Sequence, residues 1–138
     1  MANECTLVYE TEIPIPFTCA DNTGIEKGAI LKLTDPMTAS LADGDGDYVA
    51  GIAAEEKIAN DGKTKIGVYR GGIFKGYAGT GGVTAGKAID TDNGTSDDNE
   101  LADAPVTTGN YVGIALETAT SAESFLFELK PHHQTANS

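Results

Sequence analysis

Asp43, Asp45 and Asp47 stand at alternate positions, the spacing with which a calcium loop presents its first carboxylates. Such a loop then needs glycine at its sixth position and a bidentate glutamate at its twelfth, where this chain has Tyr48 and Ala54. The segment reads as a solvated acidic turn, with a weak cation site as the alternative. Asp90, Asp92, Asp97 and Asp98 form a second acidic loop that reads the same way. Gly81 to Ala88 nearly reproduces the phosphate-cradling pattern G-x-x-x-x-G-K-[S/T], but Ala88 has no hydroxyl to offer Mg²⁺. The residues after it form a turn and do not open a helix, so a turn entering a strand is expected. Glu55 and Glu56 are adjacent, so their carboxylates point apart. Cys5 and Cys19 have no histidine nearby and make a poor metal site. They are expected to be reduced thiols, a bridge closing the N-terminal stretch being the alternative. His132 and His133, the only histidines, lie beyond the last expected strand and are badly placed for a general base. No nucleophile, base and orienting acid come together. The expectation is therefore no catalytic residue, no cofactor, no metal and no enzyme.

Composition narrows the partners. The 138 residues carry 21 acids against 9 bases, a net charge of −12. Polyanions such as nucleic acid and anionic lipid are repelled, because phosphate affinity depends on Lys and Arg displacing counterions. No apolar run reaches the ~18 residues a spanning helix needs, and the first residues lack the basic and apolar regions of a secretory signal. Synthesis in a cytosol is the resulting expectation. The length fits one domain. With no Trp and 17 Gly, its core would rest on Ile, Val, Leu and Ala between tight turns.

The elements that position these residues are strands. From Gly28 onward apolar residues alternate with period two, broken by glycine turns and by no helical pattern longer than about two turns. An all-β fold follows, a small β-barrel or β-sandwich. Two echoes run through it. Gly28-Ala-Ile-Leu-Lys-Leu33 and Gly86-Lys-Ala-Ile-Asp90 are followed by Tyr48-Val-Ala-Gly-Ile-Ala53 and Tyr111-Val-Gly-Ile-Ala115, and then by strand candidates at 65–70 and 125–129. The chain thus reads as two similar halves, with Gly51 and Gly113 at equivalent bends. Residues 1–24 differ: Ile13-Pro-Ile-Pro16 is unfit for a central strand and reads as an extended arm or an edge strand. Residues 25–131 would form the β-domain. Pro131 would end its last strand and leave 132–138 as a flexible tail. In 71–77, Ile73 and Tyr77 are expected to point inward. Lys63, Lys65, Tyr69, Arg70, Phe74, Lys75 and Tyr77 make a basic, aromatic stretch in an acidic chain. It is either an alternating strand pair or a docking face for an acidic partner or adjacent subunit.

The order Gly-Ala-Ile-Leu-Lys-Leu, Val-Ala-Gly-Ile-Ala, Gly-Val-Tyr-Arg-Gly-Gly-Ile-Phe, Val-Thr-Ala-Gly-Lys-Ala, Tyr-Val-Gly-Ile-Ala-Leu-Glu, spread over residues 24–130, resembles the head decoration (capsid cement) proteins of tailed bacteriophages. Single motifs are weak; their shared order carries the resemblance. It implies a small β-protein without enzymatic activity, made in the host cytoplasm. On the virion it would bind the capsid exterior, partnered by the major capsid protein and by itself as a homotrimer, and stabilise the shell. The interface residues expected on that reading are Leu7, Tyr9, Ile13, Ile15 and Phe17 on the arm, with Arg70, Phe74 and Lys75 on the basic stretch. An arm of this kind would be removable with residues 1–17 while the β-domain stays folded. The alternative is a small β-barrel binding module for calcium or carbohydrate.

Overall fold

A computed structural model describes residues 3–43, 48–92, 99–104 and 109–134. The described residues form strands and turns, without a helix. The strands are β1 (Thr6–Tyr9), β2 (Ile15–Thr18), β3 (Ile30–Asp35), β4 (Thr38–Leu41), β5 (Val49–Ala53), β6 (Lys65–Tyr69), β7 (Gly72–Tyr77), β8 (Ala88–Thr91), β9 (Leu101–Asp103), β10 (Gly109–Ala115) and β11 (Ser124–Gln134). Strands β2-β4-β3-β5-β6 close into a barrel, and β1-β7-β11-β10-β8-β9 form a six-stranded sheet.

The echo in the sequence is a structural repeat. In the first unit β2 pairs antiparallel with β6 and parallel with β4, while β3 pairs with β4 and β5. In the second, β7 pairs antiparallel with β11, β8 pairs with β9 and β10, and Ala78 bridges in parallel to Leu101 of β9. Backbone hydrogen bonds repeat one for one. Gly28 N–H donates to Ala53 at 2.9 Å and Gly86 N–H to Ala115 at 2.8 Å. Ile25 and Lys57 exchange two bonds, as do Val83 and Ala119. Even a side chain repeats: Gly67 N–H donates to the Glu55 carboxylate at 3.0 Å, and Leu126 N–H to Glu117 at 2.9 Å. Gly51 and Gly113 each face a backbone carbonyl, Tyr69 O and Glu128 O, too closely for any Cβ. The bend expected from those glycines is a close approach of neighbouring strands.

The units differ in filling. The first barrel encloses Phe17, Cys19, Leu31, Ile66 and Val68 among small alanines. The second encloses Phe74, Phe125, Phe127, Leu129, Ile89 and Leu101. Ile30, Val49 and Ile52, on the other face of β3 and β5, belong to this second core. β5 is therefore buried along its whole length and cements the units together. Asn99 adds a polar clasp: its Oδ1 accepts Ile30 N–H at 2.8 Å, and its Nδ2 donates to the carbonyls of Asn3 and Gly28.

Both ends of the chain are more deeply built in than the prolines suggest. Residues 1–24 are not a detached arm: β1 is an edge strand on β7, and β2 completes the first barrel. Pro16 is tolerated there because it faces Gly67 as a non-hydrogen-bonded pair. Gly67 turns its N–H to Glu55 and its carbonyl to Ala54, so the missing donor of Pro16 lies on the far side. On that side β4 arrives only at Thr18, whose N–H donates to Met37. Removing 1–17 would open the barrel, so the expectation of a dispensable arm is corrected. Likewise Pro131 does not end the last strand. β11 runs on to Gln134 against β10, with a register shift between Tyr111 and Gly113 that gives β11 the extra residue. Its pairing with β7 stops at Leu129, so Pro131 sits where only one neighbour is required.

Candidate interaction surface

The N-terminal strand pair sets the surface. β1 is the last strand of its sheet, so one of its edges has no strand beside it among the described residues. Leu7 faces Phe74 and packs half-buried on the second core, and the irregular register after it turns Tyr9 outward beside Ile73. A register shift between Leu7 and Tyr9 leaves Val8 exposed as well. The chain then crosses to β2 through Ile13, 77% exposed, and Ile15. Tyr9 itself is 65% exposed. Val8, Tyr9, Ile13 and Ile15 thus form an apolar run along one stretch of an otherwise acidic chain, and scattered single residues would need no such explanation. Glu10 and Glu12 interrupt it, and Glu10 accepts a hydrogen bond from Tyr69 Oη at 3.3 Å.

Of the other expected interface residues, Lys75 is exposed, flanked across the sheet by Thr6 and Leu126. Phe17 and Phe74 are not on the surface: they are 3% and 1% exposed and anchor the two cores. The inward parity of β7 is the reverse of that expected. Phe74 points in between Gly72 and Gly76, and Ile73 and Tyr77 point out, half-buried. Gly76 sets the parity, because a Cβ there would come within 2.7 Å of the Phe127 ring. Phe74 instead stacks on Phe127 with centroids 6.1 Å apart. Arg70 turns back into the molecule, where Nη1 donates to the carbonyls of Val49 and Ala50 at the β5 bulge. The basic stretch is therefore divided between the inward Arg70 and Phe74 and the exposed Lys63, Lys65 and Lys75.

Sequence reasoning missed the outward row that this parity creates. Tyr9, Ile73, Glu128, Ile114 and Ala88 stand side by side across β1, β7, β11, β10 and β8. Outward apolar residues at period two were its available signal, but only the glycine-set register tells which parity faces out.

Several of the residues with chemical spacing are held within the chain. Asp43 is bound to Lys32 at 2.7 Å, and that hydrogen bond, then the lysine charge, hold its carboxyl below the usual range. Asp45, Asp47, Asp97 and Asp98 lie outside the described residues. Among the described residues no three His, Cys, Asp or Glu side chains gather as a metal site. Gly81 to Lys87 is turn and bridge leading into β8. Glu55 is occupied by Gly67 N–H. His132 stacks on Tyr111 with centroids 4.7 Å apart, inside β11, so it is not part of a tail. Cys5 and Cys19 are free and buried, one in each core. Burial, aided by the charge of Glu4, pushes the Cys5 thiol up to about 12. Burial likewise raises Cys19, against the opposing charge of Lys57.

The most polar buried feature is Lys57, 2% exposed. Its ammonium donates to the Asp21 carbonyl at 2.9 Å, the Ile58 carbonyl at 3.0 Å, Asp61 Oδ1 at 3.0 Å and Asp21 Oδ1 at 3.3 Å. Burial alone would lower its pKa; the hydrogen bonds it donates to Asp61 and Asp21 outweigh this and leave it raised. Lys57 is a staple for the 60–64 turn and lies at the position of Ala119 in the second unit.

The described residues thus form a duplicated β-scaffold with apolar side chains set out beside an open strand edge. A family model for phage cement proteins matches residues 9–130, and the chain belongs to that family. It is thus a structural protein associated with the phage head. The chain also shares its fold with the N base of the head fibre gp8.5 of bacteriophage phi29. That crystal structure superposes over 84% of this chain and 93% of the other, with a TM-score of 0.55 and 15% identity. Among curated proteins, no sequence matches this one.

Proposed function

We propose that this protein binds the outer surface of the assembled capsid as a homotrimer and stabilises the shell, with the major capsid protein as its partner. The apolar run Val8, Tyr9, Ile13 and Ile15 is the observation that carries the reading. It continues onto the outward row of β7, β11 and β10 through Tyr9. Exposed apolar side chains beside an open strand edge suit contact with a neighbour's extended segment, where backbone hydrogen bonds give affinity and side chains give register. Pro14 and Pro16 keep the neighbouring β2 edge from pairing at random. Three copies contacting several shell subunits multiply weak contacts through effective concentration. Acidic loops keep the protein soluble and away from packaged nucleic acid.

The test is addition of purified protein to undecorated shells, followed by pelleting and by heating the filled particles. Co-sedimentation and a higher disruption temperature are expected; protein left wholly in the supernatant refutes the proposal. Tyr9→Ser with Ile13→Ser leaves both cores intact and should weaken binding by roughly tenfold or more. Unchanged binding would remove the N-terminal run from the interface. Cross-linking in solution and on shells should give a trimeric band.

A further inference from the structure

One row of side chains is buried in the first unit and uncovered in the second. Ile30, Ile52 and Tyr69 stand side by side on the outer face of β3, β5 and β6. The same places on β8, β10 and β11 hold Ala88, Ile114 and Glu128. The chain's own second unit covers the first row. Ile30 and Ile52 are 1% and 0% exposed and belong to its core, and Tyr69 meets Phe74 edge-on with ring centroids 5.6 Å apart. The second row has no such cover among the described residues: Ala88 and Ile114 are half-buried and Glu128 is exposed. Ile73 of β7, also half-buried, extends it beyond Glu128. This uncovered face carries the larger apolar groups as well. Leu116 N–H donates to the Leu126 carbonyl at 2.8 Å, where in the first unit Ala54 N–H donates to Gly67. Leu116 is 47% exposed. Lys75 and Glu128 are diagonal neighbours on the same face, one of each sign. Both are exposed, and neither side chain has a hydrogen bond or ion pair among the described residues.

We infer that this face of the second unit is the contact between copies of the chain. A repeated unit buries its outer face on the next unit of its kind. The first unit does so within the chain, and the second unit finds its next unit in another copy. The two free charges fit a second copy too. In a closed symmetric assembly each Lys75 meets the Glu128 of a neighbour. No like charges then face each other, although the chain as a whole carries a net charge of −12. Ile73, Ile114, Leu116 and Leu126 supply the apolar centre between these pairs. The inference rests on the homotrimer reading only for the number of copies. The shell keeps the N-terminal run, which Tyr9 joins to the row.

The experiment is sedimentation velocity of the full chain over a concentration series. The parent should associate. Lys75→Glu and Glu128→Lys should each weaken association roughly tenfold or more, because each sets like charges against one another. Lys75→Glu combined with Glu128→Lys reverses the pair and should restore association to within about threefold of the parent, a coupling that unrelated sites would not show. These changes are exposed and leave both cores untouched, so far-UV circular dichroism should match the parent. A parent that stays monomeric at millimolar concentration, a single variant that associates like the parent, or a double variant no better than the singles overturns the inference. The same pattern of rescue in a dimer would support this contact and sink the homotrimer reading. A parent that associates in this way yet ignores undecorated shells sinks the capsid reading alone.

Discussion

The two units share one hydrogen-bonded skeleton and fill it differently. Phe127 and Phe125 of the second unit stand where the first has Val68 and Ile66, by their places against β7 and β2. Ala119 stands where the first has Lys57. The aromatic unit is held by burial, as a large apolar core allows. The aliphatic unit holds its long turn with a buried ammonium and its carboxylates. The two units thus share the backbone pairings, which tolerate little change, and differ in the side chains that fill them.

The strongest way to break this view is through the shared glycines. Gly51→Ala and Gly113→Ala each drive a Cβ into a backbone carbonyl, Tyr69 O and Glu128 O. Both should cost more than about 4 kcal/mol and abolish soluble folded protein, as judged by soluble yield and far-UV circular dichroism. Tolerance at only one site would show that the skeletons are not equivalent. Next come the fillings. Phe127→Ala should lower stability by about 3–5 kcal/mol in urea unfolding, and Val68→Ala by only about 2 kcal/mol, since fewer methyl groups leave. Equal losses would contradict the heavier aromatic filling of the second unit.

Asn99→Ala tests the clasp between units. It strips the buried Ile30 N–H of its acceptor, for about 1–3 kcal/mol, and hydrogen exchange at Ile30 should rise with it. Smallest is the staple. Lys57→Met should lower the melting temperature by a few degrees and speed exchange in 60–64, with little effect around Ala119. Its pH dependence follows from the shifts. Lys57 is raised, so its contribution is complete below the ordinary lysine value of 10.5 and is lost as pH rises through the higher folded value. Asp61 is lowered, first by the Lys63 backbone hydrogen bond and then by that of Lys57. Its contribution is complete above 3.8 and fades as pH falls through the lower folded value. The difference in melting temperature between parent and variant should therefore shrink at both extremes.

Much of the fold was legible along the chain. Alternation marked the strands, the two Tyr-Val-Gly-Ile-Ala segments marked the repeat, and Ala88 disqualified the phosphate loop without a structure. The failures have a common cause. Ile13-Pro-Ile-Pro16 and Pro131 looked like interruptions because proline removes a donor, yet each sits where no neighbour asks for one. Phe17, Phe74 and Arg70 looked available because local alternation does not say which parity is buried; for Phe74, Gly76 with Phe127 decides that across the sheet.

By itself the sequence determined the all-β character, the duplication, the acidic surface and the resemblance to capsid cement proteins, since period, composition and motif order are properties of neighbouring residues. Only the tertiary structure decided which face of β7 is outside, that the N-terminal strands are built into both sheets, that Lys57 is a buried staple, and that Ile30 and Ile52 are buried while their counterparts Ala88 and Ile114 face outward. Those facts depend on residues far apart in the chain meeting across strands, and no local pattern encodes the register at which they meet.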